Sequence, residues 1–414
     1  MTMRVSTLQM HTQAIDSIVD TNRQMLDTQQ QISSGKRFST PADDPVAAAR
    51  AVGLNQELAV RDQYQRNIQI VTGQLGVEDA ALSQATDILQ RVRELALSAG
   101  NATLTQSDRA SIGTEIAQRL DELVSVMNTR TATGEYVFAG NKGATQPFVK
   151  NGAADVVYEG DEGQRRVPVA ASSTVAVNDS GKKIFMSVPS VATTFAAETP
   201  PGNTSSASIT AGAVLDQSAV DAFYPDKLVV EFNATTADPQ GRPNFTVRRA
   251  SDGHVVDGLS NVPYSAGNPI VASGMQFQIY GTPAEGDRFV VSTSQEQGMA
   301  TTLSKLADGL KNLGDSDADR ASLQTLVDQS VGNVDNALDS VLTVRADIGA
   351  RLNTADSTNT LHQDVQVVTQ KLLSDLQDVD YAQAVSQLNM QTFVLQAAQQ
   401  SYVKISGLSL FNYL

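Results

Sequence analysis

The apolar positions of this chain change period twice. Near the start, Leu8, Ile15, Ile18, Met25 and Ile32 lie three or seven residues apart, on the three-four step of a helix face. Such positions share one face of an α-helix. Near the end, Leu361, Val365, Val368, Leu372 and Leu376 repeat the spacing, and Tyr381, Val385, Leu388, Leu395, Tyr402 and Ile405 carry it on without an evident breaker. Between these stripes lies a stretch with neither feature. The pattern predicts terminal helices with seams to bury, against each other or against neighbouring subunits.

Further elements follow from the same periodicity. Gly35 ends the first helix, and Asp44-Pro45 reads as an N-cap followed by proline at the first helical position. The next helix is expected from Pro45 to about Leu97. Ile68, Leu75, Leu82, Leu89 and Ala96 recur in it every seven residues, with Val71, Ala85 and Val92 between them. At ~1.5 Å per residue such a helix is on the order of 80 Å long, which implies a rod. Thr105 to Asp108 forms a capping-box-like start for a helix carrying Ile112, Ile116, Leu120, Leu123 and Met127, which Gly134 stops. Tyr136 to Gly140 reads as a strand. Val156–Tyr158 and Arg166–Val169 flank Gly160-Asp161-Glu162-Gly163 as a hairpin.

From about 179 to 295 the chain is rich in Thr, Ser, Ala, Gly and Pro. Its β-like runs are Leu228–Phe232, Phe245–Val247, Met275–Tyr280 and Arg288–Val291; 192–213 reads as loop. Helix returns at Met299–Leu313. After the Asp-rich turn at 315–319, a long helix carries Leu323, Val327, Val334, Leu338, Val341, Ile348 and Leu352. The fold expected is mainly α with an all-β insert: 1–40 and 358–414 as a terminal helical domain, 41–178 and 296–357 as a helical rod with a β-hairpin, and 179–295 as an outer β domain. The near-palindromic order places the first segment beside the last.

Composition narrows the chemistry. The chain has 414 residues and a formal net charge of −15, which argues against nucleic acid. Aromatics make up 5% and Trp is absent, so packing relies on aliphatic residues and Ala. There is no Cys, which fits either chance and a cytosolic habit or a protein that leaves the cell unfolded. The first ten residues show no secretory leader, and no window suits a membrane span.

No catalytic constellation appears, and no cofactor is expected. His11, His254 and His362 lack ligand spacing. Asp315-Ser316-Asp317-Ala318-Asp319 opens like a calcium loop, but the sixth and twelfth positions are Arg320 and Leu326, which favours a solvated turn. Capping accounts for Asp44 without catalysis. Asn101-Ala102-Thr103 and Asn233-Ala234-Thr235 match the glycosylation acceptor pattern, which is common by chance.

Ile32-Ser33-Ser34-Gly35-Lys36-Arg37, with Pro41-Ala42-Asp43-Asp44-Pro45-Val46-Ala47-Ala48-Ala49, resembles the N-terminal signature of bacterial flagellins and their hook-associated relatives. Arg345-Ala346-Asp347-Ile348-Gly349-Ala350-Arg351-Leu352-Asn353 resembles the family's segment before its last helix. Tyr136–Gly140 and Gly407–Phe411 look more like the branch at the hook–filament junction than like filament flagellin. Gly281–Phe289 is similar to a segment in outer domains of hook-associated proteins. The resemblance covers about 1–178 and 274–414.

It implies a terminal two-helix domain on a tube's inner side, a rod, and a β domain outermost. It also implies a structural adaptor outside the cell, in a ring of like subunits between a preceding hook-associated protein and flagellin. Export would run unfolded through the flagellar type III apparatus, with a chaperone shielding the C-terminal helix. The alternatives are a filament-forming flagellin, or an adhesin or enzyme carried on the same scaffold. The assembly interface is expected to comprise the named anchors of 8–32 and Leu372, Leu376, Val385, Leu388, Leu395, Tyr402 and Ile405.

Overall fold

The computed structural model describes residues 7–151 and 155–407. In chain order the helices are α1 (Thr7–Ser34), α2 (Pro45–Ala99), α3 (Gln106–Met127), α4 (Gln217–Phe223), α5 (Met299–Asn312), α6 (Asp317–Gln377) and α7 (Tyr381–Gly407). The strands are β1 (Phe148–Asn151), β2 (Asp155–Tyr158), β3 (Arg166–Ala170), β4 (Ser173–Ala176), β5 (Pro189–Glu198), β6 (Ser208–Val214), β7 (Lys227–Asn233), β8 (Asn244–Arg249), β9 (Val262–Pro263), β10 (Pro269–Ala272), β11 (Met275–Tyr280) and β12 (Arg288–Glu296). The chain divides into two compact units, one made of residues up to Arg66 and from Ser357 onward, the other Asn67–Asp356.

The larger unit holds the apolar cores. Ile68, Leu75, Leu82, Leu89 and Ala96 are all buried, as are Val71, Ala85 and Val92. They join Ile116, Leu123 and Met127 of α3, Leu303, Leu306 and Leu310 of α5, and Val334, Val341 and Ile348 of α6 in one cluster. Glycine is required where α3 meets α5: a Cβ on Gly113 would stand 2.8 Å from the carbonyl oxygen of Ala307. The α3 start is a full capping box. The Asp108 N–H donates to Thr105 Oγ1, and the Asp108 carboxylate accepts the Thr105 N–H.

A second core lies between two antiparallel sheets. One has the order β5-β12-β7-β8-β9 and the other β10-β11-β6. Alternate residues point inward, as the period of two demands: Leu228, Val230 and Phe232 on β7, and Met275, Phe277 and Ile279 on β11.

Four expectations are corrected. Tyr136–Gly140 is not a strand but a chain of turns, with only single bridges from Arg130 to Tyr136 and from Ala139 to Ser180. Gly134 and Gly140 take positive φ on either side of it, and the run Tyr136–Ala139 is buried throughout. The hairpin across Gly160–Gly163 is replaced by two, β1–β2 and β3–β4. The Asp161 carboxylate accepts the N–H groups of Asn141 and Gly163, each at 2.8 Å, which ties this loop to the turn at 139–141 instead of closing it into a tight turn. Residues 192–213 contain most of β5 and β6, whose small residues hid the alternation; Phe195 is the one large anchor in β5. Finally, the C-terminal stripe is interrupted. α6 runs unbroken to Gln377, and Asp380 then caps α7 by accepting the N–H groups of Ala382 and Gln383.

Candidate functional site: an assembly surface

In the smaller unit, α1 packs along α7. The half-buried or buried positions of α1 include Ile18, Thr21, Met25, Thr28 and Ile32, and those of α7 include Ala384, Leu388, Gln391, Leu395, Ala398 and Tyr402. Both sets keep the three-four spacing of one helix face. The Thr392 hydroxyl lies 4.0 Å from Met25 Sδ across this pair.

The breaks that end α1 and begin α7 are stitched to each other. Gly35 takes φ +71, the left-handed conformation that closes a helix. Its carbonyl accepts the Val379 N–H at 2.9 Å, and the Arg37 N–H donates to the Gln377 carbonyl at 2.7 Å. Lys36 therefore pairs with Asp378 as a single antiparallel bridge. Downstream, Asp43 accepts the N–H groups of Thr40 and Ser39, which hold its carboxyl below the usual range. Asp44 caps α2 through the Ala47 N–H at 2.9 Å and meets the Arg37 guanidinium at 3.3 Å, with Pro45 opening the helix.

The polarity of this unit is inverted. Its buried apolar residues, among those described, are three alanines: Ala47, Ala51 and Ala384. The α6 residues buried here are His362 and Thr369. His362 stacks on Tyr64 with ring centroids 5.4 Å apart, and Gln366 bonds to both Gln65 and Asp62. The large side chains face out instead. On α6 these are Leu361, Val367, Val368 and Leu372; on α1, Ile15, Val19 and Leu26; on α2, Val46, Val52 and Val60. On α7, Tyr381 and Val385 are exposed beside the packed face, while Met390, Phe393 and Val394 leave the other side. Phe393 is 69% exposed. From Tyr381 to Val403 the helix carries no charged residue. Large apolar residues thus leave this helix both beside the packed face and on the opposite side, with uncharged polar residues between them.

The bacterial flagellin N-terminal helical region matches residues 5–143, and the C-terminal helical region matches 331–414. The solved flagellar junction protein FlgL from Legionella pneumophila is 32% identical, with a TM-score of 0.50 over 79% of this chain and 100% of that one. The chain belongs to the bacterial flagellin family. Within the family, it is 28% identical over 410 residues to flagellar hook-associated protein 3 of Escherichia coli strain K12, covering 99% of both chains. Hook-associated protein-3 from Legionella pneumophila is 30% identical, with a TM-score of 0.53 over 78% of this chain and 98% of that one. B-type flagellin of Pseudomonas aeruginosa matches over 128 residues only, 31% of this chain and 26% of that one.

The sequence-derived anchors thus divide in this flagellin-family chain. Ile18, Met25, Ile32, Leu388, Leu395 and Tyr402 lie half-buried on the faces of the α1–α7 pair, and Leu376 is half-buried on α6. Ile15, Leu372 and Val385 are exposed. The side chains of Leu8 and Ile405 fall outside the described residues. Val19, Leu26, Met390 and Phe393 belong to the exposed set but were missed, because a single seam was assumed where two faces are apolar. Of the remaining family-motif residues, Arg345 pairs with Asp79 at 2.9 Å, Asn353 is exposed, and a Cβ on Gly349 would meet nothing within 4 Å. Among the described residues, no group of His, Asp or Glu could hold a metal ion, and no helix is long and apolar enough to cross a membrane.

Proposed function

We propose that this chain is a structural adaptor of the bacterial flagellum, joining the hook-associated zone to the flagellin filament through its terminal helices. One observation carries the reading: the terminal unit turns its large apolar side chains outward and encloses almost none. Each such anchor is worth about 1.5–3 kcal/mol once a neighbour covers it. A unit built this way is completed by other subunits. The occupants proposed are like copies in a ring, a preceding hook-associated protein and flagellin, with an export chaperone on α7 beforehand. Export is proposed to be unfolded, a route that a chain free of cysteine suits. Similarity along nearly the whole of hook-associated protein 3, against about a quarter of a flagellin, favours the junction over the filament. We propose no enzymatic activity.

Replacing Phe393 or Leu372 by Asp tests the assignment. Both side chains are exposed in the single chain, so the variants should keep the thermal unfolding midpoint of the larger unit. Complemented into a strain lacking the gene, they should leave filaments unattached and flagellin shed into the medium. Filaments that grow and stay attached with both variants would show that this face is not the joint.

A further inference from the structure

The seven-residue seam of α2 contains one residue that does not belong there. Positions 68, 71, 75, 82, 85, 89, 92 and 96 are apolar and buried, and the place between Leu75 and Leu82 is taken by Glu78, which is fully buried. A polar residue at a seam position costs stability and fixes which partner it faces. Here Glu78 Oε1 accepts the backbone N–H of Asp179 at 3.0 Å, while Oε2 is buried with no hydrogen-bond partner among the described residues.

The surrounding groups do not neutralise it. The Asp179 side chain, 3% exposed as a residue, already takes both ends of the Arg351 guanidinium at 2.7 and 3.0 Å and the Gln164 amide at 2.6 Å. Arg165 is engaged by Glu135, and Asp79, the next residue on α2, by Arg345. The charged groups facing Glu78 are thus a like charge, Asp179, from the segment after β4, and two committed cations, Arg351 of α6 and Arg165 beside β3. Asp347 draws further on Arg351.

We propose that Glu78 is a proton-operated lock: as a neutral acid it pins α2 to the 177–180 segment held by Arg351, and ionisation in this seam weakens that three-part junction. An ionised carboxylate with one bare oxygen beside a second carboxylate is the costliest form of a buried group. Burial, and then the Asp179 charge, push the Glu78 carboxyl up to about 8. Glu78 binds its proton more tightly folded than unfolded. Its contribution is therefore complete below the ordinary value of 4.5 and is lost as pH rises through about 8.

The test is carboxyl titration of the full chain labelled with 13C-carboxyl glutamate. One resonance should titrate near pH 8, and it should vanish in Glu78→Gln. The unfolding midpoint of the wild-type chain should fall from pH 5 to 9 more steeply than that of Glu78→Gln, whose amide mimics the neutral acid. A set of resonances all titrating near 4.5, or a Glu78→Gln variant with the wild-type slope, overturns the proposal. Should that variant fail to fold, the wild-type titration decides alone.

Discussion

Asp287 shows how much one side chain can hold in this molecule. It is 1% exposed, and its carboxylate accepts the N–H and hydroxyl of Thr204, the hydroxyl of Ser205 and the N–H of Ala284. Burial alone would raise its pKa, but these donors outweigh it, Ser205 first, and bring it down to about 2. A carboxyl depressed on folding stabilises above its unfolded value of 3.8, and that contribution is lost as pH falls through about 2. Replacing Asp287 by Ala should cost about 2–4 kcal/mol in urea unfolding of the larger unit at pH 7, with the deficit shrinking on acidification below pH 3.8. The Gly281–Phe289 segment was noticed in the sequence for its resemblance to relatives. Its role in clipping the loop between β5 and β6 was not legible there, because Thr204 and Ser205 lie some eighty residues away. Asp44 and Asp108 were legible, since a cap acts within three or four residues of itself.

Elements with a strong local period were readable and those relying on distant partners were not. α2, α3 and α5 follow from spacing and caps because a helix satisfies its hydrogen bonds internally. β5 and β6 satisfy theirs through β12 and β11, so Ala- and Ser-rich sequence sufficed and left no signal. The break before α7 is a further case: the apolar spacing runs straight across Asp378–Asp380, and the cap that ends it is one aspartate. Replacing Asp380 by Ala should cost about 1 kcal/mol of α7 stability. Circular dichroism of the full chain at 222 nm should show this as an earlier first step of melting, with the later transition of the larger unit unmoved. Coincident loss of both steps would mean that the cap serves more than its own helix.

At the scale of the whole chain, stability is unevenly distributed. The 68–99 seam is buried against α3, α5 and α6, whereas α1 and α7 share half-buried side chains and, among their described residues, enclose only Thr28 and Ala384 fully. Local opening follows buried contact, so amide exchange on the monomer should be fast for Thr12–Ser34 and Tyr381–Lys404 and slow for Ile68–Ala99. Equal protection in the two sets would contradict the view that the ends await neighbours. The terminal pairing and its greasy edges were visible in the sequence. Which anchors serve the pair and which face outward was not, since periodicity gives a face but not what covers it.

The uncharged run of α7 has a consequence for how such a joint behaves in its surroundings. With no ionised side chain from Tyr381 to Val403, a contact made through this helix offers dissolved ions little to screen. Its strength would then be much the same in fresh water and in brine, and its natural adversary would be cold, which weakens the expulsion of water from hydrocarbon surfaces.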